Sequence, residues 1–229
     1  MSETAQVCFR LPQPNRTDAG NPADPLTPLD LPVSQAEAMT ELLQVFACGE
    51  ESAALAFTHL AGTQAEAVVR NSLVRIAAEE AAHEVLLRSL RLSLPEPAPE
   101  IGLRRAMVRF FGRLREDDAG RHLAGIAALD SGVCTVVSAL LRDRMPLARE
   151  ARAQQVFSRI HREEAGHVRL SRVLARELAG RNAAQEKAAL TREGLVAILS
   201  LRGEAFDALG VDPDSLFARL RQPPRGLFA

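Results

Sequence analysis

The sequence predicts an all-α protein: an antiparallel four-helix bundle with a long crossover between helices two and three and extra C-terminal helices. Apolar residues recur at three- and four-residue steps along four long segments, which is the spacing of amphipathic helices, and no strand-like alternation is present. Short turns join these segments in two pairs, while a longer proline-containing stretch separates the pairs. Two hairpins joined by one long connection are typical of such a bundle.

The composition is that of an ordinary soluble globular protein, with 229 residues, 47% apolar and 25% charged. The net charge of −1 gives no indication of a nucleic-acid partner or an anionic membrane. No signal pattern is present, and no apolar run approaches the roughly 18 residues that span a bilayer. We therefore expect a cytoplasmic protein. Three scattered cysteines without a Cys-x-x-Cys pair argue against a disulfide framework and a zinc-ribbon or rubredoxin-type site.

The chain divides into three predicted regions. Residues 1–33 are rich in Pro, Asp, Asn and Thr and lack an apolar period, so we expect a disordered N-terminal segment. Ser34 and Glu37 have the spacing of a capping box, which predicts the start of the first long helix. The bundle then occupies residues 34–180, and residues 181–229 form a C-terminal helical extension.

The four long helices are expected at about residues 34–60, 64–90, 118–144 and 146–178. A short amphipathic segment at 101–115, with five arginines on its polar side, belongs to the crossover. The C-terminal region predicts one helix near 191–209 and a second, short helix opened by Asp212-Pro213, a favourable N-cap and first-turn pair.

One nine-residue pattern occurs twice, as RIAAEEAAH at 75–83 and as RIHREEAGH at 159–167. Each copy places a glutamate and a histidine three residues apart, so that both side chains leave a helix on the same face. A repeated Glu-x-x-His on two helices is typical of a site that binds two metal ions inside a bundle. The two pairs are Glu80 with His83 and Glu164 with His167.

Each of the other two long helices carries one carboxylate within its apolar face. Glu50 lies between Phe46 and Phe57 on the first helix, and Asp130 lies in the face of the third. Taken singly, Glu50 is also interpretable as a semi-exposed residue and Asp130 as a polar residue facing a gap. Four unpaired buried acids would destabilise a bundle, whereas metal ions neutralise them. Mixed oxygen and nitrogen ligands favour iron or manganese. The predicted ligands are Glu50, Glu80, His83, Asp130, Glu164 and His167.

On these residues the sequence resembles the ferritin-like di-iron carboxylate superfamily, over about residues 36–178. The resemblance implies a ferritin-like bundle with two iron ions, or manganese or mixed Fe/Mn, and dioxygen as cosubstrate. In such proteins the acid before the motif glutamate often holds the opposite histidine. The resemblance therefore implies that Glu79 orients His167 and that Glu163 orients His83. The alternative is that both acids are solvated helix charges.

Several positions depart from the pattern of that superfamily or add to it. The third helix supplies Asp130 rather than the usual Glu, and Ala82 and Gly166 stand where many members have bulkier residues. An additional histidine one turn ahead of the motif is a ligand in the related N-oxygenase group, so His161 is either a third imidazole ligand or a rim residue. Cys134 is either a core residue or part of the substrate pocket.

The resemblance implies a non-haem di-iron oxidoreductase, an oxidase or oxygenase that hydroxylates, N-oxygenates or desaturates a small organic molecule and uses an external electron donor. The absence of tyrosine excludes a tyrosyl radical, and the absence of Cys-x-x-Cys excludes a rubrerythrin-type electron-transfer domain. Two alternatives remain: a ferritin-like protein that binds, stores or detoxifies iron without an organic substrate, and a metal-free helical interaction protein. A homodimer is left open, and no nucleic-acid or membrane partner is expected.

Overall fold

A computed structural model describes residues 28–96, 101–224 and 226–228. All regular secondary structure in these ranges is helical, so the all-α prediction is confirmed. Most of the segment that was predicted to be disordered, 1–33, lies outside the described residues, and that prediction stays untested.

The described ranges contain four long helices joined by shorter ones. The helices are α1 (Val33–Thr63), α2 (Ala67–Arg91), α3 (Ile101–Leu114), α4 (Ala119–Leu140), α5 (Pro146–Arg149), α6 (Ala151–Ala179), α7 (Arg181–Leu199), α8 (Gly203–Ala208) and α9 (Pro213–Arg221). The long helices α1, α2, α4 and α6 correspond to the four predicted segments. The single helix expected near 191–209 is instead α7, which begins at Arg181, followed by a 3-10 turn and α8.

The helix starts agree with the sequence at two positions and differ at a third. The carboxylates of Asp118 and Asp212 cap α4 and α9, and each accepts a hydrogen bond from a backbone N–H of the first turn. The capping box predicted for Ser34 is wrong, because α1 begins at Val33 with Pro32 as its N-cap and no side-chain cap. Pro32 has no side-chain acceptor, so the free N–H groups at this end must find other partners.

The four long helices form two closely packed pairs. The most extensive contacts are between α1 and α2 and between α4 and α6, and α2 also contacts α6. Buried apolar side chains form two clusters. On α1, buried apolar residues at 38–48 belong to the first cluster and those at 53–61 to the second. On α2 the order is reversed, because residues of the second cluster precede those of the first. The change from one cluster to the other falls in the middle of each long helix, where the candidate metal ligands lie.

The C-terminal helices enlarge this core. Helix α7 packs along α4, and α9 contacts both α7 and α4. Gly132 of α4 permits the close approach of α7, because a Cβ atom at this position would overlap Leu195. Helix α4 is therefore covered on several sides by other helices.

The burial of α4 has a consequence for its apolar composition. By length and hydropathy alone, Ala119–Leu140 is a candidate membrane span, so the expectation that no segment would reach that limit is wrong. However, 78% of the candidate window is buried inside the protein. A core helix of a protein meets the same criteria, since most of its surface is buried against other helices.

The two cysteines in the described ranges differ in state. Cys48 on α1 is disulfide-bonded, although the scattered cysteines argued against a disulfide framework. Cys134 on α4 is free, and burial raises the pKa of its thiol to about 12. The Cys134 thiol therefore stays protonated near neutral pH, which makes it a poor nucleophile.

Candidate metal centre

The six predicted ligands meet in the middle of the four long helices, and none is more than 6% exposed. They form two groups, and within each group one potential ligand atom per residue lies within 4.8 Å of the others. We define the Glu50 group as Glu50, Glu80, His83 and Glu164, and the Asp130 group as Glu80, Asp130, Glu164 and His167. Glu80 and Glu164 belong to both groups. The two groups could therefore hold two metal ions bridged by shared carboxylates.

In the Glu50 group, the Nδ1 atom of His83 faces three carboxylates. It lies 3.3 Å from Glu50 Oε2, 3.5 Å from Glu80 Oε2 and 3.3 Å from Glu164 Oε1. Four helices contribute to the two groups, but this group takes its residues from α1, α2 and α6 only. A cation between these atoms would be surrounded by one nitrogen and several oxygen donors, the ligand set that suits iron or manganese.

The Asp130 group contains four buried atoms without a hydrogen-bond partner among the described residues. They are Asp130 Oδ2, Glu80 Oε1, Glu164 Oε2 and His167 Nδ1. His167 Nδ1 lies 3.0 Å from Glu80 Oε1 and 3.5 Å from Glu164 Oε1, but neither contact has hydrogen-bond geometry. Buried polar atoms are rarely left unsatisfied. Their convergence within one group fits a metal ion, which would satisfy them together.

The outer nitrogen of each histidine is held by a glutamate from the opposite helix. His83 Nε2 on α2 lies 2.7 Å from Glu163 Oε2, and His167 Nε2 on α6 lies 2.8 Å from Glu79 Oε2. A carboxylate accepts a hydrogen bond, so each Nε2 carries the proton. Each Nδ1 is then directed toward the groups, which is the arrangement that orients histidine ligands in metal proteins. These are the pairings that the resemblance implied.

The same glutamates are anchored in turn by arginines whose role the sequence reasoning missed. Arg75 donates to Glu79 over 2.6 Å, and Arg159 donates to Glu163 over 3.1 Å. Both arginines occupy the first position of the repeated nine-residue pattern, four residues before the glutamate that each contacts. The repeat itself was therefore a signal for them, since residues four apart on a helix lie side by side.

Burial and mutual repulsion control the charge of the acids in the absence of a metal. Burial raises the pKa of Glu50 well above its usual range, against the opposing hydrogen bond from His83. Burial, followed by repulsion from Glu164 and Glu80, likewise raises the pKa of Asp130. Burial also acts to raise the pKa of Glu80, but the nearby imidazoles outweigh it and lower the pKa. Without a metal, Glu50 and Asp130 therefore favour the neutral form, while Glu80 favours the anion.

The histidines are affected in the opposite sense. Burial lowers the pKa of each imidazole, but the surrounding carboxylates reverse that effect. The pKa of His83 is raised far above its usual range, and that of His167 is raised to about 11. The hydrogen bond with His83 lowers the pKa of Glu163 to about 2. Protons therefore neutralise the cluster when no metal is bound, and metal binding would displace them.

A cavity adjoins the two groups. Together with its opening to solvent, it encloses about 630 Å³. Four candidate ligand carboxylates, from Glu50, Glu80, Asp130 and Glu164, lie in its wall. The other described residues that line it are apolar: Val45, Phe46, Gly49, Ala53, Leu87, Phe111, Leu129, Val133, Val136, Val137, Phe157, Ile160, Leu195 and Leu199.

Two residues considered from the sequence lie away from this centre. His161 Nε2 contacts Ser138 Oγ at 2.9 Å, and His161 belongs to neither group. Cys134 does not line the cavity. Together with Ser138 it lines a separate, shallow depression. Gly166 is exposed, and a Cβ atom built on it would meet nothing within 4 Å, so the space there is open solvent.

Other buried charges were missed because they depend on the packing of distant segments. Glu51, the neighbour of Glu50 on α1, is only 2% exposed. Arg192 of α7 is fully buried against α4 and donates to Ser131 Oγ over 2.5 Å and to the Leu220 carbonyl over 3.2 Å. Burial lowers the pKa of Arg192 to about 10. The available sequence signal is its position on the apolar stripe of α7, three residues before Leu195.

No protein-family model matches the chain, and no curated protein or solved structure matches it either. Any assignment of function therefore depends on the residues and geometry described above.

Proposed function

We propose that the protein is a non-haem di-iron enzyme, or a mixed iron–manganese one, that uses dioxygen to oxidise a small organic molecule. The observation that carries this proposal is the pair of buried groups that share Glu80 and Glu164 and open onto an apolar cavity. Nitrogen and oxygen donors in this ratio suit iron or manganese. An apolar cavity beside the metal positions would give a substrate access to them.

The order of the helices supports the ferritin-like bundle within this proposal. In α1 and α2 the two apolar clusters follow each other in opposite order, and the same is true of α4 and α6. The helices within each pair are therefore antiparallel, while α2 and α4 run in the same direction. The connection between α2 and α4, which contains α3, would then be the long crossover of a ferritin-like fold.

The protein residues would bind, orient and shield the metal ions. Glu50 and Asp130 would each help to hold one ion, and Glu80 and Glu164 would contribute to both sites. Glu79 and Glu163 hold the imidazole rings in place through the Nε2 hydrogen bonds. The apolar wall would exclude bulk water, which protects an oxidation from side reactions. When bound, two ferrous ions would supply electrons for the reduction of dioxygen.

The proposed reaction needs an external electron donor in addition to dioxygen and the substrate. In a hydroxylation, a C–H bond of the substrate is replaced by a C–O bond, one oxygen atom of dioxygen enters the product, and the other leaves as water. Dioxygen is reduced and the C–H carbon is oxidised. Two further electrons come from an external donor, and two protons come from solvent. Desaturation and N-oxygenation need the same oxidant and remain part of the proposal.

The direct test is metal analysis, followed by a spectrum of the reduced protein after exposure to dioxygen. We expect about two metal ions per chain and a new absorption band that decays without mineral formation. Uptake of dioxygen by the ferrous protein that yields only ferric mineral would favour iron storage instead. A purified protein that binds no divalent metal would favour the metal-free interaction protein.

The cytoplasmic location, a homodimer and the external electron donor stay predictions. Electron transfer can be checked by stopped-flow mixing of the ferric protein with a reduced iron–sulfur protein or flavoprotein, and the oligomeric state by light scattering.

A further inference from the structure

We propose that the outer side of α3 is the docking surface for an acidic electron-transfer protein, the external donor that the proposed reaction requires. We define the arginine face as Arg105, Arg109 and Arg113, which recur at four-residue steps and therefore lie along one side of the helix. This inference deepens the proposed function and rests on it, because it names the chemistry of the donor and the place where it binds.

The first argument is the concentration of positive charge on this helix. Residues 101–115 contain five arginines and no acid, although the whole chain carries a net charge of −1. The three side chains of the arginine face are exposed, and within the described part of the chain none of them forms an ion pair. Glu116, just beyond the helix, is instead bound to Lys187 over 2.7 Å. The uncompensated charge would attract an acidic surface and steer its approach.

The second argument is the position of the arginine face relative to the Glu50 group. Arg109 and Arg113 are each two residues from Phe111, so they leave α3 about 200° away from it around the helix axis. The Phe111 ring faces α1, where a Cβ atom built on Gly49 would lie 3.5 Å from Phe111 Cζ. Gly49 directly precedes Glu50. Helix α3, a layer about 10–12 Å thick, therefore lies between the arginine face and the segment of α1 that carries Glu50.

The third argument distinguishes a protein partner from a membrane. The apolar side of α3 is buried inside the protein through Leu103, Met107, Phe111 and Leu114. The helix therefore cannot insert that side into a bilayer, as membrane-surface helices do. Its outer side combines the arginines with two exposed apolar residues, Ile101 and Val108. Arginine is enriched where proteins bind each other, next to apolar contact area.

Docking at this face would supply the electrons of the proposed reaction. An iron–sulfur donor is oxidised by one electron in each encounter, so two encounters provide the two electrons that come from outside. No atom passes between the two proteins. Electron-transfer complexes are small and short-lived, which agrees with a charged, exposed face rather than a large apolar one.

The test measures the binding of two acidic donors, a plant-type [2Fe–2S] ferredoxin and a flavodoxin, to the full-length protein. Biolayer interferometry gives the affinities at low and at physiological salt, and metal content is measured in each sample. We expect the affinity for both donors to fall at least about tenfold as the salt concentration rises, because salt screens exposed charges. Metal-free protein should bind the oxidised donors as well as metal-loaded protein does, because the arginine face lies outside the metal-binding groups.

The triple variant Arg105→Glu/Arg109→Glu/Arg113→Glu reverses the charge of the face. It should weaken binding of both donors by at least about tenfold, since three attractive contacts become repulsive. Stopped-flow mixing of reduced ferredoxin with the ferric protein should show the same loss in the rate at low donor concentration. A basic c-type cytochrome should bind this variant more tightly than the wild-type protein, a gain that an unfolded variant would not give.

The matched control is Arg162→Glu/Arg169→Glu/Arg176→Glu, which makes the same change in net charge at three exposed arginines of α6. It should keep the donor affinity of the wild-type protein within about threefold, the residual effect of net charge alone. Dithionite, a small reductant that needs no docking surface, should reduce both variants and the wild-type protein at equal rates. Helical circular dichroism verifies that both variants fold.

Several results would overturn the inference. These are affinities that do not depend on salt, or equal losses in the two triple variants. Tighter binding of phosphatidylserine vesicles or of duplex DNA than of either donor would indicate a membrane or nucleic-acid partner instead. Wild-type dimers that the reversed variant no longer forms would show that a second copy covers the face. Protein with two metals that dithionite reduces, but that binds neither donor, would contradict this inference alone. Donor docking on a protein that takes up no metal would contradict the proposed function and leave an interface for acidic proteins.

Discussion

The Glu50 group and the Asp130 group share two glutamates and have one histidine each, but their remaining carboxylates differ. Glu50 reaches within 3.3 Å of His83 Nδ1. Asp130 is shorter by one methylene group, and its Oδ2 atom has no hydrogen-bond partner in the described part of the chain. Each histidine is nonetheless held in the same way by a glutamate from the opposite helix. Because its side chain is shorter, we expect Asp130 to hold the ion of its group less tightly than Glu50 holds the other.

The largest effect is expected from removing both shared carboxylates, because this abolishes the two groups together. The double variant Glu80→Ala/Glu164→Ala should reduce metal content from about two ions per chain to about none. Helical circular dichroism verifies that the variant folds, because His83 and His167 lose carboxylate partners when the two acids are removed. Metal analysis after gel filtration measures the outcome. The exposed pair Glu66→Ala/Glu177→Ala is the control, and retention of stoichiometric metal by the first variant would show that these ligands are wrong.

Glu50 and Asp130 each belong to only one group. Removing either carboxylate should therefore remove the ion of that group alone. Glu50→Gln and Asp130→Asn keep the side-chain shape, and each should leave about one ion per chain. The ion that remains in Asp130→Asn should bind more tightly than the one that remains in Glu50→Gln, because it lies in the group with the longer carboxylate side chain. Competition with a chelator measures both affinities. Equal affinities, or the loss of both ions in either variant, would contradict the asymmetry.

The outer glutamates test whether each group is oriented from the opposite helix. Glu163→Gln should lower the metal affinity of the Glu50 group by about 10–100-fold, and Glu79→Gln should lower that of the Asp130 group by the same factor. An amide can still accept a hydrogen bond from Nε2, but it lacks the charge that increases the basicity of the imidazole. Titration with a divalent metal, monitored calorimetrically, separates the two sites. If Glu163→Gln instead weakened binding only in the Asp130 group, whose His167 lies on the same helix as Glu163, the assignment would be reversed.

The smallest effect is expected from making the two groups more alike. Asp130→Glu adds the methylene group that Glu50 has, and it should strengthen the weaker ion by less than about tenfold, or 1.4 kcal/mol. The gain is limited because the longer side chain must fit among buried neighbours. The ratio of the two metal affinities is the measurement. If the two metal affinities differ more in Asp130→Glu than in the wild-type protein, the length of the side chain at position 130 is not the cause of their difference.

The sequence predicted the long helices and the six buried candidate residues because both depend on local periodicity. Residues that recur every three or four positions lie on one face wherever the helix packs, so the shared face of Glu80 and His83 followed from spacing alone. Local periodicity gave no signal for Glu51, which lies beside Glu50 in the chain and is nevertheless only 2% exposed. It also failed for Ser34, because the cap of a helix depends on where the preceding chain turns.

The sequence by itself determined which helix faces carry charge and which residue types could bind a metal, since both are properties of single segments. Only the tertiary structure decided that Glu80 and Glu164 belong to both groups, that Glu163 meets His83 across the bundle, and that His161 lies outside. The apolar cavity was also decided at this level, because α3 and α7 complete its wall from distant parts of the chain. Contacts between remote segments depend on helix order and packing, which no local pattern contains.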